Sequence, residues 1–104
     1  MKRKDRLITL MDQVIEITDR TNRKIRLPIK SWIHIHKHPE MRNQMPQIEE
    51  TLRFPDRIIQ FEFDEHARFY YKYYKRRREY LCILVKYLNG DGFIITAHYT
   101  NKIK

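Results

Sequence analysis

Apolar and polar positions alternate with two different periods along this chain, and the change between them divides it. From Arg57 onward the period is two: Ile59, Phe61 and Phe63 alternate with Gln60, Glu62 and Asp64, as in half-buried strands. The next strand is Arg68-Phe69-Tyr70-Tyr71-Lys72-Tyr73-Tyr74-Lys75, aromatic-rich and so suited to a pleated surface. Alternation sorts it into Phe69, Tyr71 and Tyr73 on one side, and Arg68, Tyr70, Lys72 and Tyr74 on the other. The first set suits a core; the second suits phosphate contact and base stacking. Tyr80 to Leu88 is nearly all apolar and predicts a central strand buried on both faces. Phe93 to Thr100 is the last strand, joined to it through Asn89-Gly90-Asp91-Gly92, a hairpin signal.

Before Arg57 the pattern differs. Leu7 to Asp19 and Lys24 to Leu27 predict an N-terminal hairpin turning at Asp19-Arg20-Thr21-Asn22-Arg23, with residues 1–6 frayed ahead of it. Pro28 suits a helix start, and Ile29, Trp32, Ile33 and His36 then share one side. Pro39 ends that helix at His38. Pro46 begins a second helix through Arg53, with Ile48 and Leu52 inward, and Phe54-Pro55-Asp56 turns the chain out of it. The expected fold is α+β: an N-terminal hairpin and two helices followed by a four-stranded antiparallel sheet, in a single domain over residues 1–104.

Loop parity carries the expectation further. A three-residue loop Gly90-Asp91-Gly92 places Tyr87, Val85 and Ile83 on the face of Ile95, Ala97 and Tyr99. Lys86 then lies beside Thr96, with His98 and Thr100 on the same side. An odd loop around Arg77 brings Arg68, Tyr70 and Lys72 onto that face as well. The outcome is one face under the helices and another carrying a row of cations, phenols and an imidazole.

Charge sharpens the picture. There are 22 Lys and Arg against 13 Asp and Glu, a net +9, which points to a polyanionic partner, nucleic acid first. Basic knots occur at Lys2-Arg3-Lys4 and Arg76-Arg77-Arg78; the second reads as a solvated loop that raises approach rates. No apolar run approaches the ~20 residues of a membrane span. No apolar stretch and cleavage site of a secretory leader follow the basic start. One cysteine, Cys82, lies in an apolar run as a small core residue, and a reducing cytoplasm is the expected location.

The motifs in order resemble a known family. Trp32-Ile33-His34-Ile35-His36-Lys37-His38-Pro39-Glu40-Met41 is followed by Ile48-Glu49-Glu50-Thr51-Leu52, Pro55-Asp56 and Tyr70-Tyr71-Lys72. Then come Tyr80-Leu81-Cys82-Ile83-Leu84-Val85-Lys86, Gly92-Phe93-Ile94-Ile95-Thr96-Ala97 and Thr100-Asn101-Lys102-Ile103-Lys104. Over residues 28–104 this resembles the barnase/colicin D/RelE-like nuclease domains of phage and bacterial conflict systems. The resemblance implies a toxin-type RNA endonuclease that works without metal or other cofactor. It also implies an acidic antitoxin or immunity protein as partner, and no membrane. It directs attention to His34, His38, Tyr70, Lys72, Thr96, Thr100 and Lys102. One departure is that Thr96-Ala97 is followed by His98, where the family pattern has tyrosine.

Such cleavage needs a base for the 2′-hydroxyl, an acid for the leaving oxygen and cations around the phosphorane. Histidine, with an ordinary pKa of about 6.5, suits either proton role. The expected assignment gives proton transfer to His34 and His98, with Glu40 as an alternative base. Arg68, Lys72 and Lys102 stabilise phosphate, while Thr96 and Tyr70 bind or stack, and His38, Lys86 and Thr100 add RNA contacts. His36 is read as structural beside Trp32, and His66 as a turn residue. His34 and His38, one helical turn apart, lack a third partner for a zinc site. The alternative reading is a non-catalytic RNA- or DNA-binding module using the same basic face.

Overall fold

The structure is a computed structural model that describes residues 13–103. In chain order, β1 (Gln13–Thr18) and β2 (Lys24–Pro28) form a hairpin, followed by α1 (Ile29–His36), a short helical turn (Pro39–Met41) and α2 (Met45–Arg53). Four strands follow: β3 (Arg57–Gln60), β4 (Ala67–Tyr74), β5 (Glu79–Leu88) and β6 (Asp91–Thr100). The expected residues 1–6 and the start of the first strand at residues 7–12 lie outside the described residues.

All six strands belong to one sheet, ordered β1-β2-β6-β5-β4-β3. The expected four-stranded antiparallel sheet is thereby corrected to a six-stranded mixed one. The hairpin adds to β6 through a parallel pairing, Ile25 opposite Gly92 and Arg26 opposite Phe93. Gly92 allows the close approach: a Cβ there would meet side-chain carbons of Tyr87 and Val85 at 3.0 Å and of Ile25 at 3.1 Å. Arg26 fastens the junction, its Nε 3.0 Å from Glu16 and its Nη1 2.8 Å from Asp91. Apolar periodicity tells a strand which face to bury; it does not say which neighbour it pairs with.

Both helices pack on one face of this sheet. Ile35 from α1, Met41, and Ile48 and Leu52 from α2 meet Ile17, Ile25, Leu27, Leu81, Ile83, Val85 and Ile94 in one buried cluster. In α1 the buried residue is Ile35, whereas Ile33, expected inward, is 56% exposed. His36 does fold back on its own helix, its ring 3.7 Å from Trp32 and its Nδ1 3.1 Å from the Trp32 carbonyl. β3 ends at Gln60, so Phe61 and Phe63 leave the expected alternation, and Phe63 stands 81% exposed in the turn that follows.

Two turns decide which side chains share a face, and both differ from the expected parity. Leu88 pairs with Asp91, so the β5–β6 loop is the two-residue Asn89-Gly90, both at positive φ, as a type I′ hairpin turn requires. A bulge between Ile94 and Thr96 then inserts one residue, leaving Ile95 42% exposed. The missing and extra residues cancel, and Ile83 still faces Ala97, with Leu81 opposite Tyr99.

No such cancellation occurs at the other turn. Tyr74 pairs with Glu79 across a four-residue loop, Lys75–Arg78, instead of an odd one. A one-residue shift inverts a whole strand. Arg68, Tyr70 and Lys72 therefore lie opposite Val85, Ile83 and Leu81, on the helix-covered face. Tyr70 is fully buried, and its hydroxyl donates to Asp19 Oδ2 and touches the Tyr87 hydroxyl. Tyr87 donates to the same oxygen at 3.0 Å, while Asp19 Oδ1 accepts the backbone N–H groups of Thr21 and Arg23, each at 2.9 Å. This buried knot ties the β1–β2 turn to β4 and β5.

Candidate nucleic-acid interface

The residues nominated for catalysis do not converge. On the face opposite the helices lie Lys86, Thr96, His98 and Thr100, cross-strand from Phe93, Leu84, Cys82 and Tyr80. Arg68 and Lys72 are on the helix-covered side. There the Arg68 guanidinium sits 5.4 Å from the Tyr87 ring centroid, and Lys72 Nζ donates to the Phe54 carbonyl at 3.1 Å, closing the end of α2. Lys86 is held 3.0 Å from Asp64. His34 projects from the helical layer, lining a shallow recess with Lys30, Ser31 and Ile95. His38 lies 6.3 Å from it, ring to ring, and 3.8 Å from Glu40. Lys102 follows β6, its N–H 3.3 Å from Thr100 Oγ1. His34 and His98 thus belong to opposite sides of the sheet, and so do His98 and the cations Arg68 and Lys72. Among the described residues, no group of three or more His, Cys, Asp or Glu could hold a metal ion.

A different constellation does assemble, at the tip of the β4–β5 hairpin. Lys75, Arg76, Arg77 and Arg78 form the turn, closed by the Arg77 N–H to the Tyr74 carbonyl at 3.1 Å. Arg78 takes φ +55°, in the left-handed region. Among the described residues the other non-glycine residues with positive φ are Asn22, Asn43 and Asn89, the residue type that tolerates it best after glycine. An arginine there is a strained choice.

Tyrosines flank the turn on both sides of the sheet. On the helix side, Tyr74 and Tyr99 meet edge to face at 6.2 Å. The Arg77 guanidinium lies 3.8 Å from the Tyr99 ring centroid, a cation–π contact, with its Nε 3.8 Å from Glu79. Tyr99 donates to Gln44 Oε1 at 2.5 Å, and Tyr74 to Glu50 Oε1 at 2.7 Å. Burial pushes both phenol pKa values up, against the opposing charge of Arg77 at Tyr99 and the Thr51 contact at Tyr74. The phenols therefore stay neutral hydrogen-bond donors. On the other side, Tyr73 and Tyr80 contact at 5.0 Å, and Tyr73 is 44% exposed.

Between the turn and the start of α2 is a recess of about 390 Å³, walled by Tyr74, Tyr99, Gln44 and Gln47 and overhung by Lys75, Arg76 and Arg77. No side chain caps the first turn of α2, so its N–H groups and positive dipole end add to the cationic field. Among the described residues Lys75, Arg76 and Arg78 make no ion pair, whereas Arg26 and Lys86 are neutralised. No lining residue ordinarily titrates near neutrality, so the recess is equipped to bind an anion with an attached ring and not to move protons. In the sequence the signal was the basic run immediately after Tyr73-Tyr74, there read as a solvated loop. Gln44, Gln47 and Tyr99 carried none, because they reach the tip only through the fold. No protein-family model, curated protein or solved structure matches this chain.

Proposed function

We propose that this chain is a nucleic-acid-binding module whose reading surface is the β4–β5 hairpin tip, and that it binds single strands. The observation that carries the reading is the Arg77–Tyr99 stack inside a cationic recess. Cations that follow a phosphate backbone beside aromatic rings that accept bases are the general equipment for single strands. The net charge of +9 supports it, and so do the uncompensated Lys75, Arg76 and Arg78. An acidic protein partner would compete for the same cations. The metal-independent ribonuclease implied by the family resemblance has no converged acid, base and phosphate clamp in this geometry, so binding without cleavage is the reading preferred.

The test is fluorescence anisotropy of a labelled single-stranded RNA of about a dozen nucleotides, within the ~4–16 spanned by single-strand modules, in low salt with EDTA. Wild type should bind and leave the RNA intact, and Arg76→Glu with Arg78→Glu should abolish binding while the fold survives. Undiminished binding by that variant would move the interface elsewhere. Cleavage in EDTA would restore the enzyme reading.

A further inference from the structure

We infer that β3 is the pairing edge of a symmetric dimer, in which it takes β3 of a second copy of this chain antiparallel to itself. β3 ends the sheet, and among the described residues only β4 pairs with it. The Phe61 N–H donates to the Ala67 carbonyl at 3.0 Å, and this sets the phase of the ladder. Arg57 and Ile59 turn their backbone groups toward β4, and Ile58 and Gln60 turn theirs outward. Such an edge is a template for another strand, which monomeric proteins blunt with charge, proline or a cover. Here the blunting is slight. The strand, Arg57–Gln60, carries one charge and no proline. Exposed apolar side chains gather around it: Phe54, Ile58 and Phe63. At its end Ile59, Phe61, Phe63 and Phe69 line an open cleft of about 230 Å³, and apolar surface of this kind marks a contact site.

The way charge is laid along the edge selects a second copy as the occupant. Arg57 opens β3 and Glu62 follows its end; both are exposed, and among the described residues neither makes an ion pair. A twofold axis at Ile59 pairs Ile58 with Gln60 of the partner and Gln60 with Ile58 of the partner, which uses every outward backbone group of the strand. Arg57 then lies beside Phe61 and Glu62 of the partner, and symmetry repeats the contact. Opposite charges facing across strands stabilise a pair, and like charges oppose it. A parallel pairing would set arginine against arginine, so the antiparallel one is favoured. Ile59 meets its own copy at the axis, between the two apolar clefts. Because the two strands run in opposite directions, the β4–β5 tips point to opposite ends of the joined sheet and both stay open.

Sedimentation velocity of the full chain, free of nucleic acid and run over a wide range of protein concentration, reads the balance of monomer and dimer. Wild type should pass from monomer to dimer as concentration rises. Gln60→Pro removes an outward N–H that β4 does not use, a change that edge strands accept, and should leave the chain monomeric throughout. Circular dichroism melting verifies that this variant folds. Arg57→Glu and Glu62→Arg should each weaken the dimer by about tenfold or more, since symmetry counts each change twice. Both together in one chain exchange the charges and should recover most of the loss, which a merely destabilised fold would not do. A wild type that stays monomeric at every concentration overturns the inference. So does a dimer that Gln60→Pro leaves intact, because the contact then lies elsewhere. A charge exchange without recovery overturns the antiparallel alignment.

Discussion

Arg78→Gly should make the protein more stable and a poorer ligand binder at once. Arg78 closes the β4–β5 turn at φ +55°, where a residue with a Cβ costs roughly 1–2 kcal/mol relative to glycine. Glycine returns some of this by loosening the unfolded chain, about 0.4–1 kcal/mol, so a net gain of about 0.5–1 kcal/mol is expected. For a domain of this size each kcal/mol moves Tm by about 4–8 °C, which gives a rise of about 2–8 °C. The N–H of residue 78 that donates to the Lys75 carbonyl at 3.3 Å is retained, so the turn keeps its shape. The guanidinium is lost, and single-strand binding should weaken, with its salt dependence shallower by about 0.7 in log–log slope. The assay is thermal unfolding by circular dichroism alongside anisotropy with one labelled strand. A lower Tm would refute the assignment of strain. A higher Tm with unchanged binding would show that Arg78 is not at the interface.

The buried Asp19 knot makes further predictions. Asp19→Ala strands the Tyr70 and Tyr87 hydroxyls in the core and frees the turn N–H groups, at a cost of about 3–5 kcal/mol in urea unfolding; adding Tyr70→Phe and Tyr87→Phe should recover part of it, and no recovery would contradict the account. Although burial disfavours its charge, hydrogen bonds from Tyr70, Arg23, Thr21 and Tyr87 hold the Asp19 pKa below the ordinary 3.8. That stabilisation is therefore complete above pH ~4 and lost as pH falls through the depressed folded value. The acid limb of the urea midpoint should flatten in Asp19→Asn, and an unchanged limb would count against the linkage. Gly92→Ala, whose new methyl would press on Tyr87, Val85 and Ile25 at 3.0–3.1 Å, should cost about 1–3 kcal/mol by overpacking, and a neutral result would show that the β2–β6 junction relaxes freely.

Local patterns along this chain say where strands and helices form, and less about how they meet. The Val14–Thr18 strand, the Ile48/Leu52 helix face and the position of β5 as an inner strand can be read from spacing, because each depends on neighbours within a few residues. The expected burial of β5 on both faces is not met, since Tyr80, Leu84 and Lys86 on the side away from the helices are only half-buried. The sheet as a whole could not be read so. Joining β2 to β6 rests on the space left by Gly92 and on the reach of Arg26 to Glu16 and Asp91, none of which leaves a periodic trace. The candidate site depended on something smaller still, one residue in the length of the Lys75–Arg78 turn. That residue sends Tyr70 into the core against Asp19 and parts Lys72 from His98. Tyr74 and Tyr99 then come together under Arg77, although 25 positions separate them in sequence.

The salt dependence of single-strand binding tests the hairpin-tip interface most directly. The three turn cations without an ion pair, Lys75, Arg76 and Arg78, each neutralising one phosphate, give a slope of about −2 in log affinity against log salt. Replacing Arg76 and Arg78 with alanine should reduce it to about −0.7, with thermal unfolding no lower than wild type. An identical slope in wild type and variant would mean that the phosphates lie against some other part of the molecule, and the hairpin tip would lose its claim.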